Sequence, residues 1–142
     1  MPEVHILNGP NLNLLGVRER QIYGTTTLDD IIQLCGAVSK GPLRFAQTNN
    51  ESEMIDTIHA ARGVADGIII NPAGWSFRSI AILDALATFA GPIIELHISN
   101  IHARDNSHRH SIMSQHVTAV IAGLGANGYP TALRAMYDLI HP

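Results

Sequence analysis

A three-layer α/β sandwich, with helices on both faces of a five-stranded parallel sheet in the flavodoxin-like order 2-1-3-4-5, is the fold class this sequence predicts. Three observations predict it. Short runs rich in Ile and Val alternate five times with helical patterns, and right-handed crossovers leave few topologies for such a series. The third and fourth runs, GIIIN and IIELH, are almost continuously apolar, as strands buried on both faces of a parallel sheet are. The 142 residues carry no repeat and no low-complexity linker. That is the size of one domain, residues 1–142, burying roughly 68–70% of its unfolded surface.

The first strand is expected over residues 3–7. It leads into ILNGPNLNLLGVRERQIYG, residues 6–24, before a helical pattern begins at Leu28. Strand-to-helix loops usually run about 2–6 residues, and much longer ones are functional or disordered. Thr27 is placed to cap a helix with Leu28, Ile31, Ile32, Cys35 and Val38 at three- and four-residue steps, which Gly41-Pro42 ends. A second strand covers residues 43–48. Asn49 or Asn50 then caps a helix bearing Met54, Ile55, Ile58, Ala61 and Val64 on one stripe. The third strand covers residues 67–71, and after Asn71-Pro72-Ala73-Gly74 a third helix is predicted from about Phe77 to Phe89. Strands follow over residues 93–97 and 117–122. A last helix begins near Asn127 and carries Leu133, Met136, Tyr137 and Ile140.

In this topology a ligand sits at the carboxyl ends of strands 1, 3 and 4, around the switch point. Those ends read Asn8-Gly9-Pro10-Asn11, Asn71-Pro72-Ala73-Gly74 and His97-Ile98-Ser99-Asn100, the polar, Asn-rich segments of the chain. The charged stretch HARDNSHRH after strand 4 is long enough to fold over the same rim. Within the first loop, Tyr23 follows Arg18 by five positions. A phenol is a poor base at neutrality, but a nearby guanidinium favours the phenolate, so this pair is a candidate activated base; the plain alternative is a surface tyrosine. Glu95 and His97 share one face of strand 4. A carboxylate beside an imidazole orients it and favours its protonated form, as a general acid requires. Pairing of the two at an oligomer interface is the other reading.

Composition narrows the partners. Hydrophobic residues make up 46% and charged residues 15%, leaving apolar surface that points to homo-oligomerisation. A net charge of −3 with no Lys/Arg run gives no electrostatic footprint for nucleic acid. No signal peptide is evident, and no apolar run approaches the roughly 18 residues a membrane span needs, so a cytoplasmic protein is expected. Cys35, the single cysteine, falls on an apolar helix face, as a small buried hydrophobe would. His102, His108 and His110 cluster in a loop, but no HExxH or Cys/His spacing frames them, and no metal is expected. A flavin phosphate would need a Ser/Thr-rich cradle that the first loop lacks. An aspartyl phosphate would need an acid where strand 3 ends in Asn71. The remaining reading is a small polar substrate held without a cofactor.

Taken together, ILNGPNLNLLGVRERQIYG, QTNNESEMID, NPAGWS, DAL, IELHISNIHAR and VIAGLGANGY resemble the type II dehydroquinases, the 3-dehydroquinate dehydratases, over almost the whole chain. The resemblance implies a flavodoxin-like subunit, no cofactor, and trimers assembling to a dodecamer. It implies loss of water from 3-dehydroquinate to give 3-dehydroshikimate, in a family serving both biosynthetic and catabolic routes. By the same resemblance Tyr23 is the base, sharpened by Arg18. Asn11 holds the water that stabilises the enolate, and His97 is the acid, oriented by Glu95. Asn71, Ile98 and Ser99 bind the substrate carboxylate and an adjacent hydroxyl, and Asp84 reaches a neighbouring subunit's site. The loop carrying Arg18 and Tyr23 is a lid.

Two positions depart from the family pattern. Phe77 stands where relatives usually carry His, and His108 where they carry Arg, both residues that contact ring hydroxyls. A buried hydroxyl left without a partner costs roughly 1–3 kcal/mol. Arg78 and Arg109 are the candidates to compensate. Three readings follow: a dehydroquinase with relaxed hydroxyl contacts, a diverged lyase acting on a related cyclic hydroxy-keto acid, and a non-catalytic assembly protein that keeps the fold.

Overall fold

The computed structural model describes residues 1–142. Strands β1 (Val4–Asn8), β2 (Leu43–Gln47), β3 (Gly67–Asn71), β4 (Ile93–His97) and β5 (Ala119–Ala122) form one parallel sheet in the order β2-β1-β3-β4-β5, as the alternation of the sequence predicts. Ile6 lies opposite both Phe45 and Ile69, and Asn8 opposite Gln47 and Asn71. The polar ends of the first three strands are therefore level.

Side chains alternate across the pleat, so each strand feeds two cores. Val4, Ile6, Ile69, Ile94 and Leu96 face the helices α2 (Leu28–Val38) and α5 (Gly128–Ile140). Leu7, Ile68, Ile70 and Ile93 face α3 (Glu51–Ala61) and α4 (Ile80–Leu86). Every residue of β1, β3 and β4 is buried, whereas β2 and β5, the edge strands, are not. Cys35 is fully buried in the α2 and α5 core, and burial pushes its thiol up to about 11. No helix is long and apolar enough to cross a membrane.

The helix starts are chemically specified. Thr27 accepts from Asp30 N at 3.2 Å while Asp30 accepts from Thr27 N at 3.0 Å, a reciprocal capping box. Asn50, of the two candidate asparagines, caps α3 by accepting from Glu53 N. The third predicted helix is not one continuous element. Residues Ala73–Phe77 form a 3-10 turn, Arg78 leaves helical geometry, and α4 starts afresh because Ser79 Oγ accepts from Ile82 N. Serine competes with the backbone for hydrogen bonds and so favours such a cap. After α4, i→i−3 bonds carry the chain to Phe89. The long first loop also holds local structure, a 3-10 turn at Leu12–Leu14 and a single helical turn α1 (Arg20–Tyr23).

Candidate active site

The carboxyl edge of the sheet carries a cavity of about 500 Å³. Its wall includes Asn11, Arg18 and Tyr23 from the first loop, Asn71 at the end of β3, and Phe77 from the following turn. His97, Ile98 and Ser99 at the end of β4, and Arg104, Asp105 and His108 from the next loop, complete it. The three polar rims and the HARDNSHRH segment thus meet around one space. Glycine permits the approach at its base: a Cβ on Gly9 would lie 2.6 Å from Pro72 O, so only Gly lets the ends of β1 and β3 converge.

His97 reaches the cavity with its Nε2 bonded to Glu95 behind it. Glu95 is wholly buried in the sheet, and His97 is nearly so. Burial pushes the Glu95 carboxyl up. Hydrogen bonds from His97, Ser111 and Ser114, with the charge of His97, outweigh that and hold it below the usual glutamate range. Ser114 Oγ donates to the second carboxylate oxygen at 2.7 Å. The two residues join within one protomer, and His97 stands on the cavity wall.

Tyr23 is half-buried on the opposite loop. The Arg18 guanidinium lies over its ring, 5.4 Å from the centroid, and Nη2 of Arg18 donates to Glu19 at 2.6 Å. The phenolic oxygen itself accepts from Arg104 Nη1 at 3.3 Å. Two cations therefore face the phenol, one at its face and one at its oxygen. The sequence singles out only the first, because Arg104 is 81 residues away in the chain. The signal that could have found it is its place in the polar loop after β4, on the rim where ligands bind.

Asn71 is nearly buried, and its amide is fixed at both ends: Oδ1 accepts from Ala73 N at 3.1 Å, and Nδ2 donates to Tyr129 at 3.0 Å. Tyr129 in turn donates to Asn8 Oδ1 at 2.6 Å. Its hydroxyl is fully buried, and burial pushes its ionisation up. This support beneath the site is absent from the sequence reading. The available signal is a tyrosine on an apolar helix face, whose hydroxyl must find a partner.

Asn11 adopts a left-handed conformation, φ 69°, and its backbone N–H donates to Asn49 Oδ1 at 2.9 Å. Phe77 and His108 both stand in the cavity wall, but the substitutes suggested for them do not. Arg78 is exposed and outside it, and Arg109 donates to the Arg104 backbone carbonyl from outside it. Asp84, on α4, is exposed and lies outside this chain's own cavity. His102 and His110 are exposed as well, and no group of three or more His, Cys, Asp or Glu side chains is placed to hold a metal ion.

A phenol facing two guanidinium groups and a carboxylate-backed imidazole, on one small cavity, are groups of the kind that removal of a proton and a hydroxyl from adjacent carbons calls for. Comparison with known proteins agrees. The model of the family described as Dehydroquinase class II matches residues 2–137. The chain is 53% identical over 137 residues to "3-dehydroquinate dehydratase 2" of Agrobacterium fabrum, covering 94% of this chain and 93% of that one. To the 3-dehydroquinate dehydratase of Cereibacter sphaeroides it is 50% identical over 139 residues, covering 96% and 95%. A crystal structure of a type II dehydroquinase from Propionibacterium acnes superposes with a TM-score of 0.91 at 45% identity, covering 97% of each chain.

Proposed function

This chain belongs to the class II dehydroquinase family, and from that premise we propose that it converts 3-dehydroquinate to 3-dehydroshikimate and water. Tyr23, as phenolate, takes a proton from C2, next to the ketone. The electron pair moves onto the C3 oxygen as an enolate. Asn11 holds a water against that oxygen, because charge developing at a fixed position rewards donors already in place. The enolate collapses to expel the C1 hydroxyl, and His97 protonates it as it leaves. Glu95 is a positioning residue, acting through His97.

The observation that carries this reading is that Tyr23, bonded by Arg104, and His97, backed by Glu95, line the same cavity. Asn71, Ile98 and Ser99 take the substrate carboxylate and an adjacent hydroxyl, with Tyr129 keeping the Asn71 amide in one orientation. The lid runs from Gly16, whose φ of 91° suits glycine, through Arg18 and Tyr23 to Gly24. Closing it excludes water from the enolate. The protein assembles as trimers packed into a dodecamer, in which Asp84 completes a neighbouring subunit's site. Asp84 is exposed on its own chain, and so are the apolar side chains of Ile80, Val120 and Leu124.

Given 3-dehydroquinate, the purified protein is expected to generate the ultraviolet absorbance of a conjugated enone. A folded protein that yields no product at any pH would overturn the reading.

A further inference from the structure

Phe77 interrupts a polar wall. Its ring neighbours two imidazoles, 6.5 Å from His97 with the planes 26° apart, and 5.6 Å from His108 with the planes 77° apart. All three side chains line the cavity. A phenyl ring offers neither donor nor acceptor in the plane of a hydroxyl's needs. A ring hydroxyl pressed against it loses water and gains no partner, for a loss of roughly ten- to hundredfold in binding. A ring carbon bearing only hydrogen meets no such loss there and covers apolar surface instead.

His108 differs from Phe77 in one respect. Its Nδ1 lies 2.9 Å from Asp105 Oδ1, and its Nε2 makes no hydrogen bond within the protein. The His108 contact in turn holds the Asp105 carboxyl below its usual range. Since a carboxylate only accepts, Nδ1 carries the hydrogen, and Nε2 is left to accept from a hydroxyl when the ring is neutral or to donate to one when it is protonated. In either state the His108 ring offers one hydrogen bond to a ligand, beside the apolar shelf of Phe77.

We propose that Phe77 and His108 divide the reading of the two substrate hydroxyls remote from the eliminating carbons. His108 binds one of them, and Phe77 faces the position of the other. The substrate class of the site therefore extends to cyclic 1-hydroxy-3-keto carboxylates that lack the hydroxyl at Phe77. The inference rests on the dehydratase reading above and narrows it to what the ring must carry.

The test compares kcat/KM for 3-dehydroquinate and for its 4-deoxy and 5-deoxy analogues, in the wild-type protein and in Phe77→His. Comparing selectivities between two proteins cancels the intrinsic reactivity of each ketone. Restoring a hydrogen-bonding side chain at this wall should shift selectivity toward the parent, against one of the two analogues, by about tenfold or more, since a site that hydrogen-bonds a hydroxyl rejects the analogue lacking it. Selectivity against both analogues unchanged within about twofold would overturn the proposal. Should Phe77→His fail to fold, Phe77→Asn puts a smaller donor and acceptor at the same place and is judged by the same shift. Absence of turnover of the parent itself in the wild type sinks the dehydratase reading instead, so the two failures are told apart in one assay.

Discussion

At the scale of single residues, the proposed chemistry is concentrated in two side chains, one of which takes its support from a distant part of the chain. Replacing Tyr23 by Phe keeps the ring and removes the proposed base, and kcat should fall by roughly 10²–10⁴, the usual worth of a positioned acid or base. Full activity in this variant, measured by enone formation, would rule Tyr23 out. Arg104→Ala should lower kcat at least as far as Arg18→Ala, because only Arg104 bonds the phenolic oxygen while Arg18 is shared with Glu19. Steady-state rates on the two variants decide between them. Tyr129→Phe removes the hydroxyl that joins Asn71 to Asn8. It should cost about 1–3 kcal/mol of stability in urea unfolding and raise KM more than it lowers kcat, if Asn71 has the binding role proposed for it. Of these residues the sequence displays Tyr23, Arg18, Asn71, Glu95 and His97, each on a predicted rim or strand. Arg104 and Tyr129 stay hidden because their partners are distant in the chain, and sequence spacing carries no signal for a contact of that kind.

At the scale of elements, the sequence specifies where helices begin through short-range chemistry. The capping box at Thr27 and Asp30 needs only residues three apart. Thr27→Ala should lower stability by about 1 kcal/mol while leaving turnover near that of the parent protein, which chemical denaturation and the enone assay would show together. The helix predicted through Phe77 fails for an equally physical reason. Ser79 donates to Glu51 on α3 at 2.8 Å and caps α4 from its own oxygen. A contact between helices therefore stops the element that periodicity alone extends. That break lets the Ala73–Phe77 turn stand away from α4 and put Phe77 in the cavity wall. The loop before α2 shows the same division. Its polarity is legible, but its single turn at Arg20–Tyr23, hung from the Glu19 carbonyl, is too short to leave a periodic pattern.

At the scale of the whole molecule, the buried Glu95–His97 pair contributes to the pH dependence of folding. An unfolded glutamate titrates near pH ~4.3. In the fold Glu95 is held lower, so its contribution to stability is complete above that pH and is lost as pH falls through the folded-state value. Glu95→Gln should flatten the acid limb of stability plotted against pH. An unchanged limb would mean that other carboxylates set it. Assembly makes a second prediction, resting on the proposed placement of Asp84 at a neighbour's site. Co-expression of Asp84→Ala chains with Tyr23→Phe chains should give mixed oligomers with more activity than the two variants' own activities added together, because some sites regain both residues. Activity no higher than the sum of the two would confine Asp84 to a structural role.

By itself the sequence determined the alternation of strand and helix, the burial of the central strands and the polarity of the rims. Each of these follows from the order of apolar and polar residues over a few positions, and a parallel sheet admits few arrangements of such a series. Only the tertiary structure decided which cation reaches the Tyr23 oxygen, what fixes the Asn71 amide, and that Phe77 neighbours His97 and His108 in the cavity wall while Arg78 and Arg109 stay outside. Those outcomes depend on where loops from distant parts of the chain come to rest against one another, and that is settled by packing across the whole molecule.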